Sequence, residues 1–277
     1  VSCRRNGRTV QFVYRASAGE RLGDAETVNL YVTVPDTDAP VRIRVELKGK
    51  KATPYIESGA LCMPLGAKNP AYFINKTGSV LRPETDIARN GNHAFYALEH
   101  FAAASDDRAM IAIVSHDAPL VSLGENGVHK FRAEYEPHAP EMRFCLFNNM
   151  WGTNFPQWIE GDMAFEFDVF SENANAVDSA YARACALAAN PNGETPIEIP
   201  FTLSEGLRLT GVYPEKNGVL LHIQNLKSAA QSGTICAQGW TFEEEDLLGR
   251  KLGGEWKNAV STEFAPYDLR AFRAKRV

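Results

Sequence analysis

His93, Glu99, His116 and Tyr135 are the side chains of this 277-residue sequence best suited to proton transfer near neutral pH. A histidine and a glutamate brought together on one concave sheet face would form an acid/base set for sugar epimerisation or polysaccharide elimination. His116 is followed directly by Asp117. Neighbours on a regular strand point to opposite faces, so these two are not expected to share one proton transfer. Asp117 is read instead as the cap of the turn made at Pro119. Glu160 and Asp162 stand two apart. Glycoside hydrolysis needs two carboxyl groups facing each other at roughly 5–10 Å, and a turn at Gly161 separates this pair as easily as it aligns them. The six histidines (93, 100, 116, 129, 138 and 222) show no metal-ligand spacing. His93 and His100, seven apart, would align on a helix, yet "NGNHAFYALEHFAAA" reads equally as a strand running into a turn. No metal site is expected. Glycine-rich nucleotide loops, the G-x-S-x-G elbow and H-E-x-x-H are all absent.

A different chemistry is written in "FNNMWGTNFPQWIEGD", residues 147–162. Carbohydrate sites combine an aromatic face, which stacks on the apolar side of a pyranose, with amides and carboxylates that bond hydroxyl groups. Trp151 and Trp158 supply the first; Asn149, Asn154, Gln157 and Glu160 supply the second. The competing reading is structural: the tryptophan rings bury themselves, and the asparagines bond the backbone of a tight corner. Both readings stand at this level. The carbohydrate-binding candidates are Trp151, Asn154, Gln157, Trp158 and Glu160.

These residues must be positioned by strands. "VNLYVTV" sets Val28, Leu30, Val32 and Val34 on one face and Asn29, Tyr31 and Thr33 on the other. "VRIRVELK" alternates Val41, Ile43, Val45 and Leu47 with Arg42, Arg44, Glu46 and Lys48. "TVQFVYRA", "MIAIVS", "RFCLFNN" and "AFEFDVF" repeat the period of two, which marks antiparallel sheets with one buried face. Only "NANAVDSAYARACALAANPNG" has helical spacing, with Asn173 or Asn175 as candidate cap and "NPNG" as the stop. Strand patterns then resume to the end. The expected fold is therefore all-β: a large antiparallel β-sandwich over residues 1–190 that ends in one helix, then a small C-terminal β-domain over 191–277.

Bulk properties exclude several function classes. Hydrophobic residues make up 44% and charged residues 23%, as in a folded protein, and the net charge of −5 argues against a nucleic-acid partner. No apolar run approaches the roughly 20 residues of a membrane span, so no membrane role is expected. Five cysteines (3, 62, 145, 185 and 236), an odd number without C-x-x-C pairs, are read as mostly buried thiols in a reducing compartment. With no visible signal segment, this favours the cytoplasm. "NKT" at Asn75–Thr77 fits the glycosylation tripeptide, a pattern that chance often produces. The chain opens on Val1 rather than Met, so a portion of a longer protein is expected.

"FCLFNNMWGTNFPQWIEGDMAFEFDVF" resembles the late β-domain of glycoside hydrolase family 38, the α-mannosidases and their relatives. Those proteins carry a similar Asn-Asn-x-Trp-Gly-Thr-Asn-Phe-Pro-x-Trp loop followed by an aromatic alternating strand. "YIESGALCMPLGAKNPAYFINKTGSVLRPETDI", "AIVSHDAPLVSLGE", "GVLLHIQNL", "EEEDLLGRKL" and "FAPYDLRAFRA" are similar to further family segments in the same order. The resemblance implies a galactose mutarotase-like supersandwich, then a helix and a smaller β-unit. It also implies what is missing. The family's zinc and its nucleophilic aspartate sit in an N-terminal α/β-barrel, and nothing here matches that barrel. No catalytic residue, zinc ligand or cofactor carries over, and zinc is expected only in a catalytic barrel domain or chain outside this sequence. The implied role is carbohydrate binding or support of such a barrel; an enzyme acting through His93, Glu99, His116 or Tyr135 is the alternative.

Overall fold

Alternating apolar residues need a second layer to cover them, and the chain supplies it by folding two sheets face to face. The computed structural model describes residues 1–16, 23–124, 130–150, 157–189 and 199–277. The chain divides into two compact units, Val1–Pro191 and Asn192–Val277.

Among the described residues, the first unit contains a nine-stranded antiparallel sheet. Its spatial order is Ser2–Asn6 (β1), Thr9–Arg15 (β2), Thr27–Thr33 (β3), Val41–Lys50 (β4), Gly161–Asn173 (β13), Ala109–Ser115 (β10), Phe101–Ser105 (β9), Ala71–Lys76 (β6) and Ser79–Leu81 (β7). A four-stranded sheet lies against it, in the order Ser58–Pro64 (β5), Glu141–Asn148 (β12), Leu120–Leu123 (β11) and Tyr96–Ala97 (β8). Between them Ile43, Val45, Ile113, Phe165 and Phe167 of the larger sheet pack on Val121, Met142 and Phe144 of the smaller. The Phe144 and Phe167 rings meet at 5.2 Å. Val28 and Leu30 join this core, as the alternation of β3 requires.

The other face of the large sheet has two characters. Over β10 and β13 it is covered by the helix Val177–Ala189 (α2), whose Tyr181 stacks on Phe101 at 5.9 Å. Ala180 N–H bonds the carbonyl of Ala176, which puts Ala176 rather than an asparagine at the start of the helix; Asn175 instead takes a φ of 62° in the turn leading into it. Over β3, β4 and β13 the face is a charge ladder. Arg44 bonds Glu46 at 3.0 Å and Glu166 at 2.5 Å, and Tyr31 donates to Glu46 at 3.3 Å. A second, one-turn helix spans Pro83–Asp86 (α1).

The second unit holds one sheet, Thr202–Leu203 (β14), Gln231–Glu245 (β17), Leu269–Arg276 (β19), Gly218–Asn225 (β16) and Leu207–Glu215 (β15), with Lys251–Phe264 (β18) paired to β17. Leu221, Ile223, Phe242, Phe264 and Phe272 form its core. All five cysteines are free thiols: Cys145 and Cys185 are buried and Cys236 half-buried, but Cys3 and Cys62 are exposed, so the expectation of mostly buried thiols does not hold. Cys3 lies on the edge strand β1, every residue of which is exposed. Among the described residues no helix is long and apolar enough to cross a membrane.

Candidate functional site

The large sheet is wider than the small one. β5 is the edge of the four-stranded sheet, and residues of β5 and β12 share a cavity with residues of β2, β3 and β4 of the large sheet. The cavity measures about 630 Å³. Tyr14, Val28, Leu30 and Leu47 form one wall, and Gly59, Leu61 and Phe147 form the other. Gly59 is required by close approach: a Cβ there would fall inside the Phe147 ring.

Two charges sit in this apolar wall. The Lys50 side chain is 3% exposed, and its ammonium bonds Glu57 Oε1 at 2.7 Å, the Gly23 carbonyl at 2.7 Å and the Lys51 carbonyl at 3.0 Å. A buried ammonium with all three donors satisfied is a tolerable burial, whereas an unpaired one is not. Glu57 then ties the cavity to the tryptophan loop. Its N–H donates to Asn149 Oδ1 at 2.7 Å and its carbonyl accepts the Asn149 N–H at 3.1 Å. Asn149 Nδ2 donates in turn to the carbonyls of Tyr55 (2.8 Å) and Gln157 (3.2 Å). One amide thus clamps both ends of the loop, which is the structural reading of that asparagine. Two bulges flank it, at Cys145/Phe147 and at Gly161/Met163, where Gly161 adopts a φ of 99° that side chains rarely take.

Trp151 and Asn154 lie outside the described residues. Gln157, Trp158 and Glu160 are exposed, and none of their side chains makes a hydrogen bond among the described residues; the Trp158 ring is 59% exposed. Asp162 is engaged differently from Glu160. It accepts the Gly49 N–H at 2.8 Å and pairs with Lys48 at 3.2 Å, and these two, in that order, hold its carboxyl below the usual range.

The four acid/base candidates fall into separate hydrogen-bonded groups. His93 Nδ1 lies 2.9 Å from the Tyr96 hydroxyl, and its ring meets Tyr135 edge-on at 5.9 Å, so these two candidates are together. Tyr135 lines a second cavity of about 460 Å³ with Arg82, Glu84 and His138. Burial, and then Tyr72, pushes the Tyr135 phenol up to about 12, which keeps it a hydrogen-bond donor. Glu99 accepts from Asn75 Nδ2 at 3.0 Å and from the Gly78 N–H at 2.9 Å. Asn75 is itself fully buried, its Oδ1 accepting the His100 and Phe101 amides at 2.8 and 2.7 Å, so the "NKT" asparagine is closed to glycosylation in the folded chain.

His116 finds a carboxylate that adjacency does not reveal. Its Nε2 bonds Asp168 Oδ2 at 3.0 Å, while Arg42 grips both Asp168 oxygens at 3.0 and 3.1 Å. Burial works to raise the Asp168 carboxyl, but the hydrogen bonds from His116 and Arg42 outweigh it and hold the group below its ordinary value. Asp117 does not cap the Pro119 turn; it accepts the Glu166 N–H at 2.7 Å, and Ser115 holds the turn through Ala118. The only sequence signal for Asp168 and Arg42 is their place on the polar side of two alternating strands. Among the described residues no cluster of three or more His, Cys, Asp or Glu is arranged to hold a metal ion.

No family model and no curated protein matches the sequence. Solved structures do match in fold. One is a glycosyl hydrolase family 38 protein from Enterococcus faecalis, with 12% identity and a TM-score of 0.64 over 89% of this chain and 29% of that one. Another is an alpha-mannosidase from Enterococcus faecalis V583, with 12% identity and a TM-score of 0.61 over 89% of this chain and 28% of that one. The chain therefore spans less than a third of the length of these proteins, and it is similar to them in fold alone.

Proposed function

We propose that this chain is the β-sandwich portion of a family 38-like glycosidase, that it has no catalytic centre of its own, and that it holds carbohydrate beside the cavity at the β5 edge of the sandwich. The observation that carries the reading is the pinned rim. Asn149 fixes the backbone at Gln157, and the next residue, Trp158, is 59% exposed, while the Gln157 and Glu160 side chains make no hydrogen bond among the described residues. An exposed tryptophan face next to amide and carboxylate groups suits a pyranose, whose axial hydrogens stack and whose hydroxyls need partners. Glu99 and His116 sit in hydrogen-bonded groups apart from the His93–Tyr135 pair, which supports assigning hydrolysis to a catalytic barrel domain or chain outside this sequence.

The test is calorimetric titration and glycan-array binding of the chain with α-mannosides and other neutral oligosaccharides. Trp158→Ala, whose ring is outside the core, is expected to keep the fold and weaken binding about 2- to 12-fold, the worth of one stacking aromatic. Binding untouched by this substitution would move the site elsewhere. Silence across the array would leave support of the barrel as the role, the part in which Asn149 already serves the loop.

A further inference from the structure

The hairpin between β17 and β18 is built against the usual logic of a soluble surface. Its turn is locked by one carboxylate: Asp246 accepts the Leu248 and Arg250 amides at 2.9 and 2.8 Å and the Arg250 Nε at 2.7 Å. A turn held that firmly has no freedom to fold its apolar residues inward. Leu247 is 56% exposed, Leu248 80% and Leu252 63%, and Leu269 of the neighbouring β19 adds a further exposed face. These leucines rim a groove of about 530 Å³.

The floor of the groove is short of positive charge. Its lining sets four carboxylates, Glu244, Glu245, Asp246 and Asp268, against two guanidinium groups, Arg250 and Arg270, a surplus of two negative charges. Glu244 is matched by Arg270. Glu245 is not matched fully: its side chain is 2% exposed, and Oε1 takes Arg273 at 2.8 Å, but among the described residues Oε2 has no hydrogen-bond partner. Arg273 is also shared, since it bonds both oxygens of Glu215 at 2.8 and 3.1 Å. One arginine between two carboxylates leaves Glu245 with part of its charge uncompensated. Next to a carboxylate that is itself buried, that field is screened less than one between exposed charges.

We infer that this groove is a docking surface for a polypeptide segment that presents an arginine or lysine between apolar side chains. The leucine rim would bury against the flanking residues, and the cation would answer the charge surplus around Glu245. Apolar contact supplies the attraction and the charge supplies the register. The inference uses only the second unit and stands apart from the carbohydrate reading above.

The experiment titrates the full isotope-labelled chain with the peptide Ac-Ala-Leu-Arg-Leu-Ala-NH2 and follows backbone amide shifts. The control peptide carries citrulline for arginine, which keeps the shape and removes the charge. Shifts are expected at 246–252 and 268–271, with the citrulline peptide about fivefold weaker or more. Glu245→Gln removes one of the two surplus charges and should narrow the difference between the two peptides. If that variant does not fold, Leu248→Ser, at a residue 80% exposed, tests the rim and should weaken both peptides alike. Equal binding of the arginine and citrulline peptides, or shifts confined to other regions up to millimolar peptide, would overturn the inference. The same shifts produced by free mannose would assign the groove to carbohydrate and would also overturn it.

Discussion

Replacing Asp168 by asparagine should cost unit 1 about 2–3 kcal/mol at neutral pH and almost nothing in acid. The carboxylate is 0% exposed and takes three hydrogen bonds, two from Arg42 and one from His116, all between 3.0 and 3.1 Å. Removing one partner of a buried, hydrogen-bonded charge costs roughly 3–5 kcal/mol when the other is stranded. Arg42 is not stranded, because 41% of its side chain already meets water, and this discounts the figure. An asparagine also turns an N–H toward one Arg42 donor, so only part of the bidentate contact survives.

The pH dependence supplies the sharper test. The folded-state pKa of Asp168 lies below its ordinary value, so its contribution is complete above about pH 4, the unfolded value, and is lost as the pH falls through the folded one. Urea denaturation of the wild type and Asp168→Asn, followed by circular dichroism at pH 7 and again near pH 3, should show midpoints far apart at the first and closer together at the second. Because the chain has two compact units, two transitions are expected, and only the one belonging to Val1–Pro191 should move. A difference under about 0.5 kcal/mol at pH 7, or a large one that persists unchanged in acid, would refute the claim that an ionised, buried Asp168 holds β4, β13 and His116 together.

Gly59→Ala should lower the urea midpoint of the same transition by the equivalent of about 1–3 kcal/mol, because the new methyl would stand 2.3 Å from the Phe147 ring, a half-buried group that must shift to admit it. A neutral effect would mean that the ring has somewhere else to lie. Asn75→Ala should cost about 2–3 kcal/mol, since it leaves the buried His100 and Phe101 amides without an acceptor; slowed hydrogen exchange lost at those two amides is the check. Tyr72 and Tyr135 are both raised to about 12, chiefly by burial, against an ordinary phenol near 10. Their shared contribution to stability is whole below pH 10 and drains away between about 10 and 12, so the chain should weaken steeply across that window. Tyrosinate absorbance should show the two phenols ionising last; early ionisation in a chain still folded would contradict their burial.

The strands were readable wherever one face is wet and the other dry. β3 and β4 carry clean alternation, and the structure puts Val28, Leu30, Ile43 and Val45 into the core and Tyr31, Arg44 and Glu46 on the ladder outside. The helix Val177–Ala189 was readable too, because alanines at helical spacing have no use in an alternating strand. β18 was not. "KLGGEWKNAVSTEF" carries two adjacent glycines with positive φ and little alternation, and it is held as a strand by pairing with β17 rather than by its own pattern. Short strands such as β7, β8 and β11 are equally silent, since two to four residues give no period to detect.

The sites were less legible than the strands because a site is made by register. His116 follows β10, which pairs Ser115 with Phe167, and that alignment alone brings the imidazole beside Asp168, 52 residues later. Nothing in "SHDAP" announces it; the adjacent Asp117 was the visible partner and the wrong one, because its side chain leaves on the other side and finds the Glu166 amide instead. Glu245 repeats the lesson. In "EEEDLLG" four consecutive carboxylates look like a solvated run, yet the pairing of β17 with β19 sets Glu243 opposite Arg273, Glu244 opposite Phe272 and Glu245 opposite Ala271, and both Glu244 and Glu245 are buried. Period two tells which residues share a face. Only the partner strand tells which of them meet, and the chemistry of this chain, from the Asn149 clamp to the uncompensated oxygen of Glu245, lies in those meetings.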